Sequence, residues 1–207
     1  MAGRDYKLNK SEFTRMRRQE QMYQQFLPIL KLKKEQLQME HLRLKRELER
    51  DREQFREARK TVDPIAPLLA ERLPVDLAAM SQARDIVTRQ KIIAGVHVPV
   101  LEEIKFPEVG APKFGMPPWV SRALPRLRAL VEARIRLIIR EEQYKRVGYE
   151  LRKATQKVNL FEKVMIPEIK EAIRRISIAL GDQEVAAVCR GKIAKSKKLQ
   201  DAAGGHT

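Results

Sequence analysis

The sequence predicts a mainly α protein in which two long helices, one N-terminal and one C-terminal, form an antiparallel left-handed coiled-coil hairpin around a short irregular, β-containing segment. Three observations carry that expectation. Apolar residues recur at intervals of seven through both ends of the chain. Eight of the eleven prolines fall between residues 61 and 118. Aromatic residues make up 5% of the chain and charged residues 34%, which suits long exposed helices better than a round core.

The first helix is expected over residues 9–60, a stretch with one proline, Pro28, and no glycine. Asn9 or Ser11 supplies an N-cap, with Glu12 and Thr14 following. One row of sevens reads Met16, Tyr23, Leu30, Leu37, Leu44, Asp51, Ala58 and is apolar except at Asp51. The row three residues earlier reads Phe13, Glu20, Leu27, Lys34, His41, Leu48, Phe55 and is apolar at four of seven positions. Such a helix would run about 75–80 Å at 1.5 Å per residue. Polar residues inside a seam usually fix register, which is the expected role of Glu20, Lys34, His41 and Asp51.

The second long helix is expected over 119–181. Leu130, Leu137, Tyr144, Leu151, Val158, Met165, Ala172 and Ala179 stand seven apart. A second row adds Ala133, Val147, Ala154 and Phe161, but also Arg140, Glu168 and Arg175. A sustained seven-residue period predicts a left-handed supercoil. Pairing with a second copy would satisfy the same pattern. The long middle segment, able to reverse the chain, favours the hairpin.

Residues 61–118 carry Pro64, Pro67 and Pro74 at the exit from the first helix, with short helices expected in "LLAERL" and "VDLAAMSQA". The β-branched stretch at about 85–106, with Gly95 and Pro99, reads as a strand pair. "FPEVGAPKFGMPPWV" reads as a loop, closed by Pro117, Pro118 and Trp119. Residues 182–207 read as a basic flexible tail.

Within "VNLFEKVMIPEIKEAIRRI", residues 158–176, Val158, Phe161, Met165, Ile169, Ala172, Ile173 and Ile176 keep helical spacing, yet Pro167 stands among them. An interior proline removes a hydrogen bond and clashes with the carbonyl four residues back, at about 3 kcal/mol. Packing of the flanking apolar residues is expected to offset that cost. A bend is expected at Pro167, and another at Pro28.

Lys and Arg number 43 against 27 Asp and Glu, for a formal net charge of +16. Nucleic acid, an anionic membrane surface and an acidic protein cavity are the matching partners, and solvation of a long helical surface is the plainer account. No zinc ligands, recognition helix or stacking platform point to nucleic acid. One cysteine, Cys189, excludes an intrachain disulfide or a cysteine-based metal site and fits a reducing compartment. No apolar leader is expected in the first residues, and no run of about 18 apolar residues suggests a membrane span. A Gly-rich phosphate loop is lacking, so no nucleotide or other cofactor is expected. His41, His97 and His206 lack metal-ligand spacing, and Glu102–Glu103 reads as a solvated edge, not an acid–base pair. No catalytic residue and no metal site is expected.

Three stretches resemble the D subunit of the V-type and A-type rotary ATPases: "KVNLFEKVMIPEIKEAIRRI" at 157–176, "LKLKKEQLQME" at 30–40 and "IIAGVHVP" at 92–99, in the same order as in that family. The resemblance implies a non-catalytic central-stalk rotor shaft on the cytoplasmic side of the membrane. Its two helices would enter the hexamer of catalytic A and non-catalytic B subunits. Its middle segment would engage the funnel-shaped C (d) subunit above the membrane ring, beside the small F subunit of the central stalk. The shaft would transmit torque during ATP hydrolysis or synthesis without inserting into the bilayer. On this reading Arg15, Arg17 and Arg18 with Arg190, Lys192, Lys195, Lys197 and Lys198 form a hexamer-facing basic end. A coiled-coil scaffold without a rotary role, or a basic nucleic-acid binder, remains the alternative that composition and heptads allow.

Overall fold

The computed structural model describes residues 6–70, 76–108 and 117–204. In order come α1 (Lys10–Val62), a 3-10 helix (Asp63–Ala70), α2 (Leu77–Ser81), β1 (Asp85–Ile93), β2 (Val96–Lys105), α3 (Pro118–Leu160), a π-turn (Phe161–Met165) and α4 (Ile166–Gly204). The chain forms two compact units. One comprises residues 1–32 and 156–207, the other residues 33–155.

Asn9, not Ser11, caps α1: its side-chain oxygen accepts from the Glu12 amide at 2.8 Å and also from the Ser11 hydroxyl. The helix then runs 53 residues through Pro28. No residue in either of its two seven-spaced rows is exposed. Met16, Leu37, Leu44 and Leu48 are buried outright, and Tyr23 and Leu30 are half-buried. The half-buried places include the polar Glu20, Lys34, His41 and Asp51.

In the second unit α1 and α3 run antiparallel. The Arg134 guanidinium lies 5.7 Å over the Phe55 ring, Arg52 meets Glu141, and His41 stacks on Tyr144, so rising numbers on one helix meet falling numbers on the other. Leu137, Val147 and Ala154 are buried, with Leu130, Tyr144 and Leu151 half-buried beside them. Pro118 opens α3, where a proline's missing donor costs nothing. A second small core gathers Leu77, Val120 and Leu124 under α2. Asp76 caps that short helix by accepting from the Ala79 amide at 3.0 Å. Arg128 ties the region together, donating to the carbonyls of Met80 and Pro107 while lying 5.2 Å over the Phe106 ring.

β1 and β2 form an antiparallel hairpin within the β-branched stretch, with a bulge between Val87 and Thr88. Ala94 (φ 49) and Gly95 (φ 79) make the two-residue turn. Two consecutive positive φ values are the geometry that matches strand twist, and glycine adopts it without a Cβ penalty. Val96 and Val98 of β2 pack into the core formed by Leu37, Leu44, Val147 and Ala154.

The first unit departs from the sequence reading in two ways. The expected uninterrupted helix over 119–181 is broken by the π-turn directly before Pro167. There the Ile166 amide donates five residues back, to the Phe161 carbonyl. A wider turn answers what Pro167 lacks, because it changes the local ladder where the pyrrolidine ring would otherwise meet the preceding turn. It also moves the second inward row by one residue. Val158, Met165 and Ala172 keep their places, Val158 and Ala172 fully inward. Ile169 and Ile176 take the second row instead of Glu168 and Arg175, which are exposed. Two of the three polar residues that interrupted this row, Glu168 and Arg175, are therefore not in the seam. The second departure is at the C-terminus: within the stretch read as a tail, α4 continues as helix to Gly204, and residues 205–207 lie outside the described ones. Its Ala, Lys, Gln and Leu residues are strong helix formers, and they extend the helix. From Gly181 to Lys198 every residue but Ala186 is exposed.

The register shift has a direct test. Ile176→Ala is expected to lower unfolding stability by about 2–5 kcal/mol, as for a fully buried isoleucine. Arg175→Ala should stay within about 0.5 kcal/mol, as for a surface site. Urea denaturation of both variants reads the difference. Similar losses for the two would place the unbroken heptad register back in force.

Candidate interaction surfaces

The seam of the second unit holds a polar cluster where α1, α3 and β2 meet. Arg140, a polar intruder by its position in the heptad, donates to Asp51 at 2.9 Å, to Glu47 at 2.6 Å and to the Gln143 side-chain oxygen at 3.0 Å. Gln143 is buried and passes the chain of bonds on, donating its amide to the Pro99 carbonyl at 2.6 Å. Arg146 reaches the His97 carbonyl two residues earlier in β2 at 3.4 Å. Asp51 and Arg140 thus compensate each other across the seam. Mutual pairing makes each tolerable there, and their fixed geometry sets which turn of α1 faces which turn of α3. The sequence offered the signal, a lone acid in one row of the first helix and Arg140 among the charged places of a row of the second, but not which would meet.

His41 fills a different kind of place. Its ring stacks on Tyr144 at 4.2 Å between centroids. It also presses on Gly148, where an added Cβ would stand 2.9 Å from His41 Cε1. The helical glycine makes the hollow that the imidazole occupies. His41 Nδ1 is buried and no polar atom among the described residues reaches it. Burial foremost, then the positive charges of Arg152 and Lys45, hold the His41 pKa below the ordinary 6.5.

A cleft of about 690 Å³ between β2 and the helices is lined by Asp51, Glu102, Glu103, Glu132, Arg136 and Arg140 among others, a mixed-sign surface with no acid–base pair set apart. Among the described residues no cluster of His, Cys, Asp or Glu has the make-up of a metal site. None of their helices is long and apolar enough to cross a membrane.

The eight basic residues singled out in the sequence all lie in the first unit, and all are exposed. Arg15 is ion-paired with Glu12, and the Arg17 guanidinium lies 5.0 Å over the Phe13 ring. Arg190, Lys192, Lys195, Lys197 and Lys198 line exposed turns of α4, with exposed Val185 and Val188 just before them and Ile193 among them. Cys189 is exposed on the same stretch. Pro28 and Pro167 are exposed, so both prolines stand on the outer faces of their helices. Near Pro28, Lys31 bonds Glu162 at 2.7 Å and Tyr23 meets Phe161 edge-on at 5.1 Å, tying α1 to the π-turn.

Two outcomes follow from the polar seam. Gln143→Leu strands the Pro99 carbonyl and should cost about 1–3 kcal/mol in urea denaturation. The fold lowers the His41 pKa, so the unfolded chain takes up more protons as pH falls below 6.5. Stability is therefore full above that value and is lost between it and the lowered folded pKa. His41→Phe, which keeps the stack, should flatten this part of the stability–pH curve. Gly148→Ala should destabilise despite alanine's higher helix propensity, and more so with His41 present than in the His41→Ala background.

A sequence model of the family described as the D subunit of ATP synthase matches residues 12–196. The chain is similar to the V-type ATP synthase D subunit of Borreliella burgdorferi, with 32% identity over 194 residues that cover 94% of this chain and 95% of the relative. It is 33% identical to the protein of the same name from Chlamydia felis, covering 94% of this chain and 90% of that one. For the Chlamydia pneumoniae protein the identity is 30%, with 96% of each chain covered. The matched region spans both long helices and the hairpin, and the chain belongs to the family of ATP synthase D subunits.

Proposed function

We propose that this chain is the central-stalk rotor shaft of a V/A-type ATPase, a non-catalytic component that carries torque between the catalytic A/B hexamer and the membrane ion-translocating ring. The observation that carries the reading is the inward seam shared by two non-identical helices. A single helix bends easily over such a length, and two packed helices resist bending and twisting better. One chain folded on itself is also asymmetric. Each site of a surrounding ring then meets a different face as the shaft turns, whereas a symmetric pair of identical chains would show the same face twice.

In this reading the exposed basic turns of α4 and the start of α1 face acidic loops in the bore of the hexamer. The hairpin segment turns toward the funnel-shaped C (d) subunit and the small F subunit. The complex sits at the cytoplasmic side of the membrane, and this chain does not insert. Pro28 and Pro167 curve the part of the shaft inside the ring, so that it presses unequally on the subunits around it. The π-turn supports a role for Pro167, since among the described residues it marks the one place where the helical ladder widens.

Cys189 gives the test, because it is the chain's one cysteine and is exposed. A photo-crosslinker on Cys189, mixed with purified A/B hexamer, should yield a crosslink at one copy per ring, with sustained or altered ATPase activity. Self-association or other ratios would favour a scaffold. Salt-sensitive binding to DNA without binding to the hexamer would overturn the shaft reading. Replacing Lys195, Lys197 and Lys198 by Gln should weaken hexamer binding by about tenfold at low salt and by less at high salt, since exposed charges are screened. Pro167→Ala should reduce coupling between hydrolysis and ion transport. Unchanged coupling would remove the curvature argument.

A further inference from the structure

The hairpin has two edges, and they are treated differently. The carbonyls of His97 and Pro99 on the outer edge of β2 accept from Arg146 and Gln143 of α3. Those carbonyls therefore point away from β1. In an antiparallel pair, residues opposite each other either exchange both ladder bonds or both point outward. Ile92 stands opposite His97 and Gln90 opposite Pro99. The two-residue turn requires the same phase, since its closing pair, Ile93 and Val96, is hydrogen-bonded. Pro99, which has no amide hydrogen, fits an outward position without losing a ladder bond. Thr88, Gln90 and Ile92 consequently aim their N–H and C=O groups at the open side of β1.

Among the described residues no backbone hydrogen bond reaches that open side. β1 is nine residues long without a proline, and all of it but Val87 and Ile93 is exposed. Its two cations, Arg89 and Lys91, are exposed and enter no ion pair among the described residues. An unpaired edge of this kind is a template for a further strand.

We infer that the free edge of β1 takes an extended, acidic segment of another subunit of the complex as a third strand of the sheet. The backbone of Thr88, Gln90 and Ile92 supplies the ladder. Arg89 and Lys91 select carboxylates at the facing positions, as opposite charges across a ladder do. A second copy of this chain fits poorly. Antiparallel pairing of β1 with itself about Gln90 sets Arg89 against Lys91 twice, like charge on like charge. The inference rests on the proposed place in the complex and deepens it, since there the hairpin is only turned toward neighbouring subunits; its test involves neither Cys189 nor coupling, so the two can fail separately.

The experiment is residue-resolved hydrogen exchange on the isolated full-length chain and on the intact purified ATPase complex. The amides of Thr88, Gln90 and Ile92 should exchange freely in the isolated chain and slow by about tenfold or more in the complex, while those of Arg89 and Lys91 are already slow in both. Gln90→Pro removes one outward donor without touching the intrachain ladder, and the double variant Arg89→Glu with Lys91→Glu leaves the backbone unchanged. Each should abolish the added protection at the remaining outward amides. Equal exchange in chain and complex, or wild-type protection in both variants, would overturn the inference. Protection in the isolated chain that grows with its concentration would overturn it in favour of a second copy.

Discussion

Everything in this fold depends on α1 finding an apolar surface for its inward rows. The helix is 53 residues long and leaves no residue of those rows exposed. A buried leucine or isoleucine contributes about 1.5–3 kcal/mol relative to an exposed one, so a row of such residues must be covered along its length. α3 supplies that cover around Leu37 and Leu44 through Val147 and Ala154, and β2 adds Val96 and Val98. The tolerance for interior prolines follows from this constraint. Pro28 and Pro167 stand on outer faces, and the apolar residues around them hold the helices in place.

Polar residues enter the seam under a different rule. Arg140 with Asp51 and Glu47 is acceptable because the charges meet. His41 is acceptable because Gly148 leaves it room and Tyr144 a face to stack on. Each arrangement works at one alignment of the two helices, since sliding either helix by a turn would part the charges or drive the imidazole into a Cβ. Apolar rows favour burial at many alignments; these contacts select one.

The same polar cluster reaches outward from the seam. Gln143 and Arg146 use the β2 carbonyls that point away from β1, which orients the hairpin on the helices and covers one of its edges. What the helices cover on β2 they leave open on β1. In a family whose members are named as subunits of an ATP synthase, an attached element with one closed and one open edge is suited to meeting a neighbouring chain.

The sequence by itself determined the fold class, because seven-residue spacing, the clustering of prolines and the β-branched stretch around Gly95 are local signals that need no knowledge of neighbours. It placed Met16, Leu37, Leu44, Leu137 and Val158 inward for the same reason. It carried the family too, through motifs at 157–176 and 92–99. It did not determine the register beyond Phe161, because a heptad count assumes one helical pitch and cannot foresee a wider turn. The choice of Ile169 and Ile176 over Glu168 and Arg175 was made by packing against the other helix. It also missed the helix of 182–204, where basic and small residues imitate a tail. Which polar residues pair, where His41 lodges and which edge of the hairpin stays open were decided by tertiary structure, since each depends on residues tens of positions apart being brought to one place.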